Sequence, residues 1–176
     1  EKWVGFIKNT LAHVAPNFTT ARMIRDYKDR YYHPQFERAK KVEQDDFKLA
    51  KEMASWKVQI SDKWNGIKVS NIEITDGITK KMMMGEEYPV KVSIDLNGLS
   101  SQDIGVELVI TENGIDTPVR IVDVIEFKAG ELEGTVSHYN STIRPVHPGS
   151  FNYGFRIFPK NENLPHRQDF KYVRWI

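Results

Sequence analysis

The chain has 176 residues, 25 of them Lys or Arg and 24 Asp or Glu, for a net charge of +1, and it has no cysteine. That length fits one domain, or a small domain with a helical piece. The balanced charge gives no electrostatic ground for nucleic acid or an anionic membrane as partner, no apolar run approaches the roughly 18 residues of a membrane span, and the lack of cysteine removes disulfides, thiolate zinc sites and Cys nucleophiles.

The first residue is Glu1 with no signal-type stretch after it, which points to a piece of a longer chain. Charge and periodicity both change near Asn65-Gly66. Residues 1–65 carry a net +4 and the remainder a net −3. Apolar residues recur at helical spacing before that dipeptide and alternate after it, so the expected domains are 1–65 and 66–176.

The first helix is expected over about Lys2–Val14, where Trp3, Phe6, Ile7, Leu11 and Val14 share one face and Pro16 ends the run. The second is expected over about Thr20–Tyr32. Thr19 is its N-cap, since its hydroxyl can accept from a free N–H of the first turn. Phe18 and Met23 are placed for a hydrophobic staple, and Met23, Tyr27 and Tyr31 form the stripe. Pro34 opens a third helix that holds Val42, Leu49, Met53, Trp56, Ile60 and Trp64 on one face. Unbroken to Trp64 it would be roughly 45 Å long.

After Gly66 the pattern is that of strands. Val90, Val92, Ile94 and Leu96 alternate with Lys91, Ser93 and Asp95. Ile67–Thr75, Ile104–Thr111, Val119–Phe127, Gly134–Thr142, Phe151–Phe158 and Phe170–Trp175 complete seven candidates, the first with a change of phase at Ser70-Asn71 that suggests a bulge. The expected fold class is α+β: three helices, the third long, followed by an all-β sandwich of immunoglobulin-like type.

The chain carries no Walker A, GxGxxG, HExxH, EF-hand or GxSxG pattern. His13, His33, His138, His147 and His166 make no helical ligand pair, so they read as surface or turn residues and no metal is expected. Glu43, Asp45, Asp46 and Glu52 are interleaved with Lys40, Lys41, Lys48 and Lys51, the pattern of a solvated helix face. Asn17 and Asn140 open N-x-[ST] sequons, a motif that matches often by chance. Met82-Met83-Met84 reads as an adaptable apolar contact or a loop tucked over the sandwich. Flat aromatic rings suit a sugar face. Trp56 and Trp64 lie on the helical stripe and Phe151, Tyr153 and Phe155 on one strand face, so these read as core. Tyr139, Tyr88 and Tyr172 are the freer rings and the candidate sugar contacts, although nothing in their spacing marks a platform.

Trp3-x-x-x-Ile7-x-Asn9-x-x-Ala12, then Phe18-Thr19-Thr20-Ala21-Arg22-Met23-Ile24-x-x-Tyr27 and Tyr31-Tyr32, resembles the carboxyl-terminal end of the α-glucan phosphorylases. The stretch Ala15 to Met23 is similar to the bacterial and archaeal branch. That branch carries a further tail, which Trp56-Lys57, Trp64, Gly85 to Leu99, Asp103 to Leu108, Gly149 to Pro159, Leu164-Pro165 and Trp175 also resemble.

The resemblance implies a parent enzyme that transfers glucosyl units between α-1,4-glucan and orthophosphate, with pyridoxal phosphate on a lysine. The lysine signature of that cofactor is absent from this chain. No catalytic, cofactor or metal residue is therefore assigned, and the segment alone is expected to be inactive. What it implies instead is a cytoplasmic accessory region whose partner is the catalytic domain of the same chain, contacted through Trp3, Phe18, Met23 and Tyr27. The alternatives are a glucan-binding module, with Tyr139, Tyr88 and Tyr172 as its contacts, and a protein-interaction or oligomerisation module; without its partner the segment is expected to form a homodimer through that patch, swap helices or fray.

Overall fold

The computed structural model describes residues 2–74, 82–112 and 119–176. The chain forms two compact units, Glu1–Ser55 and Trp56–Ile176.

The first unit is helical. Helix α1 spans Lys2–Asn9 and continues as a π-helical turn, Thr10–Val14, and a 3₁₀ turn, Ala15–Phe18, that contains Pro16. Helix α2 spans Thr20–Tyr27. Thr19 caps it: its backbone is extended, and its hydroxyl accepts from the Arg22 N–H at 3.2 Å. A second π-helical turn, Lys28–Tyr32, leads into α3, His33–Lys63.

The long third helix expected from the stripe is interrupted. Gln44 is extended, and Asp45, Asp46 and Phe47 hold φ of 52°, 54° and 59°, so the helix breaks within the acidic run. Apart from glycine, left-handed backbone is least costly for Asp and Asn, whose short polar side chains tolerate it. The helical stripe has no apolar member between Val42 and Leu49 except Phe47, so packing does not oppose the break there. The acidic run behaves as a solvated face: Lys51 bonds Asp46 at 2.7 Å and Lys48 approaches Glu52 at 3.9 Å.

In the second unit the last turns of α3 lead to eight strands in two four-stranded sheets. These are β1 Lys68–Ile74, β2 Tyr88–Asp95, β3 Ile104–Glu112, β4 Arg120–Glu126, β5 Lys128–Glu133, β6 Val136–Ile143, β7 Asn152–Pro159 and β8 Arg174–Trp175. One sheet has the order β1-β2-β6-β5 and the other β4-β3-β7-β8. Every pairing is antiparallel.

The β1 register shifts between Val69 and Asn71, the bulge that the phase change at Ser70-Asn71 foretold. Thr75, the expected end of that strand, lies outside the described residues. Strand β5 was not foreseen. All six of its residues are exposed, so it has no buried face to impose alternation. The last strand is only two residues long; Phe170 and Tyr172 pack on the core as a loop.

Both sheets share one core. Val90, Val92, Ile94 and Tyr139 meet Ile104, Val106, Leu108, Phe155 and Ile157, with Ile60 and Trp64 of the helical lead-in beside them. Burying each aliphatic side chain contributes about 1.5–3 kcal/mol. Trp56 is half-buried rather than core: its Nε1–H donates to Asp103 Oδ1 at 2.7 Å, and its ring lies 5.5 Å from Phe170. Met82 packs on the core while Met83 and Met84 are exposed.

Candidate functional site

Four features of the described residues offer surface or chemistry. The first is the apolar side of the helical unit. Trp3 is 73% exposed and Phe18 78%, and Met23 and Tyr27 are also exposed. None of residues 2–55 is buried. The four residues expected to contact a catalytic domain are therefore all on open surface.

The second is a polar cleft of about 430 Å³ in the second unit, lined by Ser101, Gln102, Glu126, Lys128, Tyr139 and Lys160. The Lys160 ammonium is paired with Glu126 at 2.6 Å. The Tyr139 hydroxyl donates to the Ser101 carbonyl at 3.1 Å. Burial, with the Asp103 carboxylate adding to it, pushes that hydroxyl's pKa well above its ordinary value. Tyr139 is 1% exposed and Tyr88 is buried, so both rings have their faces in the core. Tyr172 is half-buried, its ring 5.4 Å from Trp64 and 5.0 Å from Phe170. None of the three tyrosines offers an open face for a sugar. The pairs Tyr139–Val92 and Tyr88–Ile143 place two of these rings in the core layer.

The third is a Ser93–His138–Glu133 cluster on β2, β6 and β5. The Ser93 hydroxyl is 2.9 Å from His138 Nδ1, and His138 Nε2 is 3.3 Å from Glu133 without hydrogen-bond geometry. The residue types are those of a hydrolase triad, but Ser93 and His138 are both buried between strands, so a substrate carbonyl has no approach to the hydroxyl. It is a structural cross-strand bond.

The fourth lies on the outer face of the second sheet. Glu107 on β3 is opposite Arg156 on β7, which is opposite Trp175 on β8. The Glu107 side chain is 1% exposed. It accepts from Arg156 Nε and, on both oxygens, from Arg167 at 3.0 and 2.8 Å. Arg167 belongs to the 3₁₀ turn Arg167–Asp169, which His166 and Asp169 cap reciprocally. Its guanidinium lies over the Phe158 ring at 4.6 Å, and that of Arg156 lies 5.4 Å from the Trp175 ring. Trp175 rests on Gly154, where a Cβ would come within 3.3 Å of two indole carbons, and it is 56% exposed. A Trp in a terminal apolar-aromatic run gives no sequence signal for such a placement; only the Gly154 seat does.

No described lysine is buried, so none sits in the desolvated pocket that a cofactor-holding amine needs. Among the described residues no group of three or more His, Asp or Glu could hold a metal, and no helix is long and apolar enough to cross a membrane.

The family model for the glycogen phosphorylase C-terminal domain matches residues 64–176, more than half of the chain. The chain belongs to that family. Beyond the domain itself, the likeness reaches through the helical unit. Maltodextrin phosphorylase of Thermococcus litoralis is 26% identical over 178 residues, covering 99% of this chain and 20% of the relative. The glycogen phosphorylases of Mycobacterium bovis and Mycobacterium tuberculosis are each 23% identical over 167 residues, covering 93% of this chain and 19% of theirs. This member of the glycogen phosphorylase C-terminal domain family thus spans about a fifth of the length of the curated relatives it matches. The archaeal and bacterial sources agree with the branch that Ala15 to Met23 resembles.

Proposed function

We propose that the chain is the non-catalytic carboxyl-terminal region of an α-glucan phosphorylase. Its parent reaction is phosphorolysis of α-1,4-glucan to glucose 1-phosphate, with pyridoxal phosphate held by residues outside this chain, in the cytoplasm. Residues 1–65 end the catalytic body and connect it to an accessory sandwich, 66–176. The sheet orders β1-β2-β6-β5 and β4-β3-β7-β8 favour an immunoglobulin-like sandwich, since they correspond to strands A-B-E-D and C′-C-F-G of that fold.

The observation that carries this reading is the open apolar surface of the helical unit. Trp3, Phe6, Leu11, Phe18, Tyr31 and Tyr32 are all more than half exposed. Leaving a large apolar side chain in water forfeits roughly 1.5–3 kcal/mol, and contiguous patches of this kind mark an interface. The catalytic domain of the same chain is the partner, since relatives named as phosphorylases align across these helices within chains about five times as long.

Two measurements on the 176-residue chain test it. Incubated with glucan, orthophosphate and added pyridoxal phosphate, it should release no glucose 1-phosphate. Amides of residues 2–32 should exchange faster than those of the strands between 88 and 158, unless sedimentation shows a dimer that covers the patch. Release of glucose 1-phosphate, or a monomer with residues 2–32 as protected as the strands, would overturn the reading.

A further inference from the structure

We propose that Trp175, with Arg156 beside it, is a binding platform for the pyranose rings of an α-glucan on the outer face of the sheet β4-β3-β7-β8. The proposal rests on the phosphorylase reading only for the choice of α-glucan; the platform itself is read from the geometry.

A single exposed apolar side chain needs no explanation. Trp175 differs because it is exposed and immobilised together. One side of the indole rests on bare backbone at Gly154, where any larger residue would press on the ring. The strand pair Arg156–Trp175 and the Ile176 N–H bond to the Phe155 carbonyl, 3.0 Å, fix the chain around it.

Beside the ring, at 5.4 Å, lies the Arg156 guanidinium, held by the buried Glu107 carboxylate one strand further on, which also holds Arg167. Glu107 takes Arg156 through Nε and Arg167 through one terminal nitrogen. The other N–H groups remain, and the two arginine side chains are 23% and 47% exposed. A pyranose presents an apolar C–H face and a rim of hydroxyls. A seated indole suits the face, and the donors of a planar guanidinium suit the hydroxyls.

The row across the sheet reads Trp175, Arg156, Glu107, Glu126. The indole thus stands at one end of a row of charge, whereas a protein interface core is depleted of charge. The exposed Ile121 and Val124 stand on β4, at the opposite edge of the sheet.

Affinity electrophoresis of the 176-residue chain in native gels containing soluble amylose tests the proposal, with maltoheptaose as competitor. The wild-type chain should be retarded and maltoheptaose should reverse the retardation. Trp175→Ala should weaken apparent affinity about tenfold, equivalent to about 1.4 kcal/mol, and Trp175→Phe should restore part of it. Should the alanine variant fold poorly, the wild-type chain still decides. On titration with maltoheptaose, the indole N–H resonance of Trp175 should shift, while those of Trp56 and Trp64 stay.

No retardation of the wild-type chain, or equal retardation of Trp175→Ala, would overturn the platform. So would a shift confined to other indoles, or loss of a dimer on Trp175→Ala with glucan retention unchanged. None of these results bears on whether the chain is catalytically silent, which the glucose 1-phosphate assay reads separately.

Discussion

Trp56 joins the helical lead-in to the loop before β3 through one polar atom, and its replacement separates two contributions. Its Nε1–H donates to the Asp103 carboxylate at 2.7 Å, part-buried, and its ring lies 5.5 Å from Phe170. A hydrogen bond to a charged acceptor contributes about 1.5–3 kcal/mol. Trp56→Phe keeps most of the ring contact and loses the bond, so it should cost about 2 kcal/mol. Trp56→Ala loses both; full truncation of a buried Trp costs about 3–5 kcal/mol, and half-burial places this one near 3. At roughly 3–6 °C per kcal/mol for a unit of this size, the phenylalanine variant should melt about 6–12 °C lower. Asp103 also accepts from the Ser100 N–H at 3.3 Å, so Asp103→Ala has a cost of its own, and only a double-mutant cycle isolates the shared bond. Urea unfolding of the four proteins should give a coupling of about 1–2 kcal/mol between Trp56→Phe and Asp103→Ala. Zero coupling, or a Trp56→Ala midpoint equal to wild type, would refute the reasoning.

Two other perturbations follow from the core and the sheet face. The Tyr139 hydroxyl is held protonated by burial, then by Asp103, against an ordinary value of 10.0. Its contribution is therefore fully present below about pH 10 and is lost as pH rises, because only the unfolded tyrosine ionises readily there. Tyr139→Phe should be less stable than wild type at pH 8, lacking the bond to Ser101, and should lose less stability between pH 9 and pH 11 in urea titrations. Glu107→Gln should leave Arg156 and Arg167 without a counter-charge. Removing one partner of a buried pair costs about 3–5 kcal/mol, but both arginines keep some contact with water, so a loss near 2 kcal/mol is expected by chemical denaturation.

The two sheets were legible where one face of a strand is buried. Val90, Val92 and Ile94 recur at every second position because the pleat turns them to the core, as it does Ile104, Val106 and Leu108, although β3 is buried on both faces from Ile104 to Val109. The bulge at Ser70-Asn71 was legible for the same reason, since an extra residue reverses the phase. Strand β5 was hidden because an edge strand with no buried residue follows no hydrophobic rule. The break at Gln44–Phe47 was hidden because its residues suit a helix as well as a turn, and nothing buried there chooses between them. The exposed faces of α1 and α2 were visible as stripes. The tyrosines misled because a ring's exposure depends on cross-strand register, which a single strand does not reveal. Trp175 was passed over for the converse reason: its seat is a glycine twenty-one positions earlier.

Between β4 and β5 the chain passes from one sheet to the other through the single residue Phe127. Glu126 still pairs with Glu107, the Phe127 N–H donates to the Val106 carbonyl at 2.8 Å, and Lys128 already pairs with Asn140. The ring meets Phe155 edge-on at 5.9 Å and fills the core. An extra residue at this corner would turn one edge strand over relative to its sheet, because side chains alternate with a period of two. At the β5–β6 hairpin the reverse holds: Gly134 has φ +62° with open space around it. For anyone placing a label, a spacer or a second module in this domain, the hairpin tip at Gly134 is a free port, and the corner at Phe127 is a closed one.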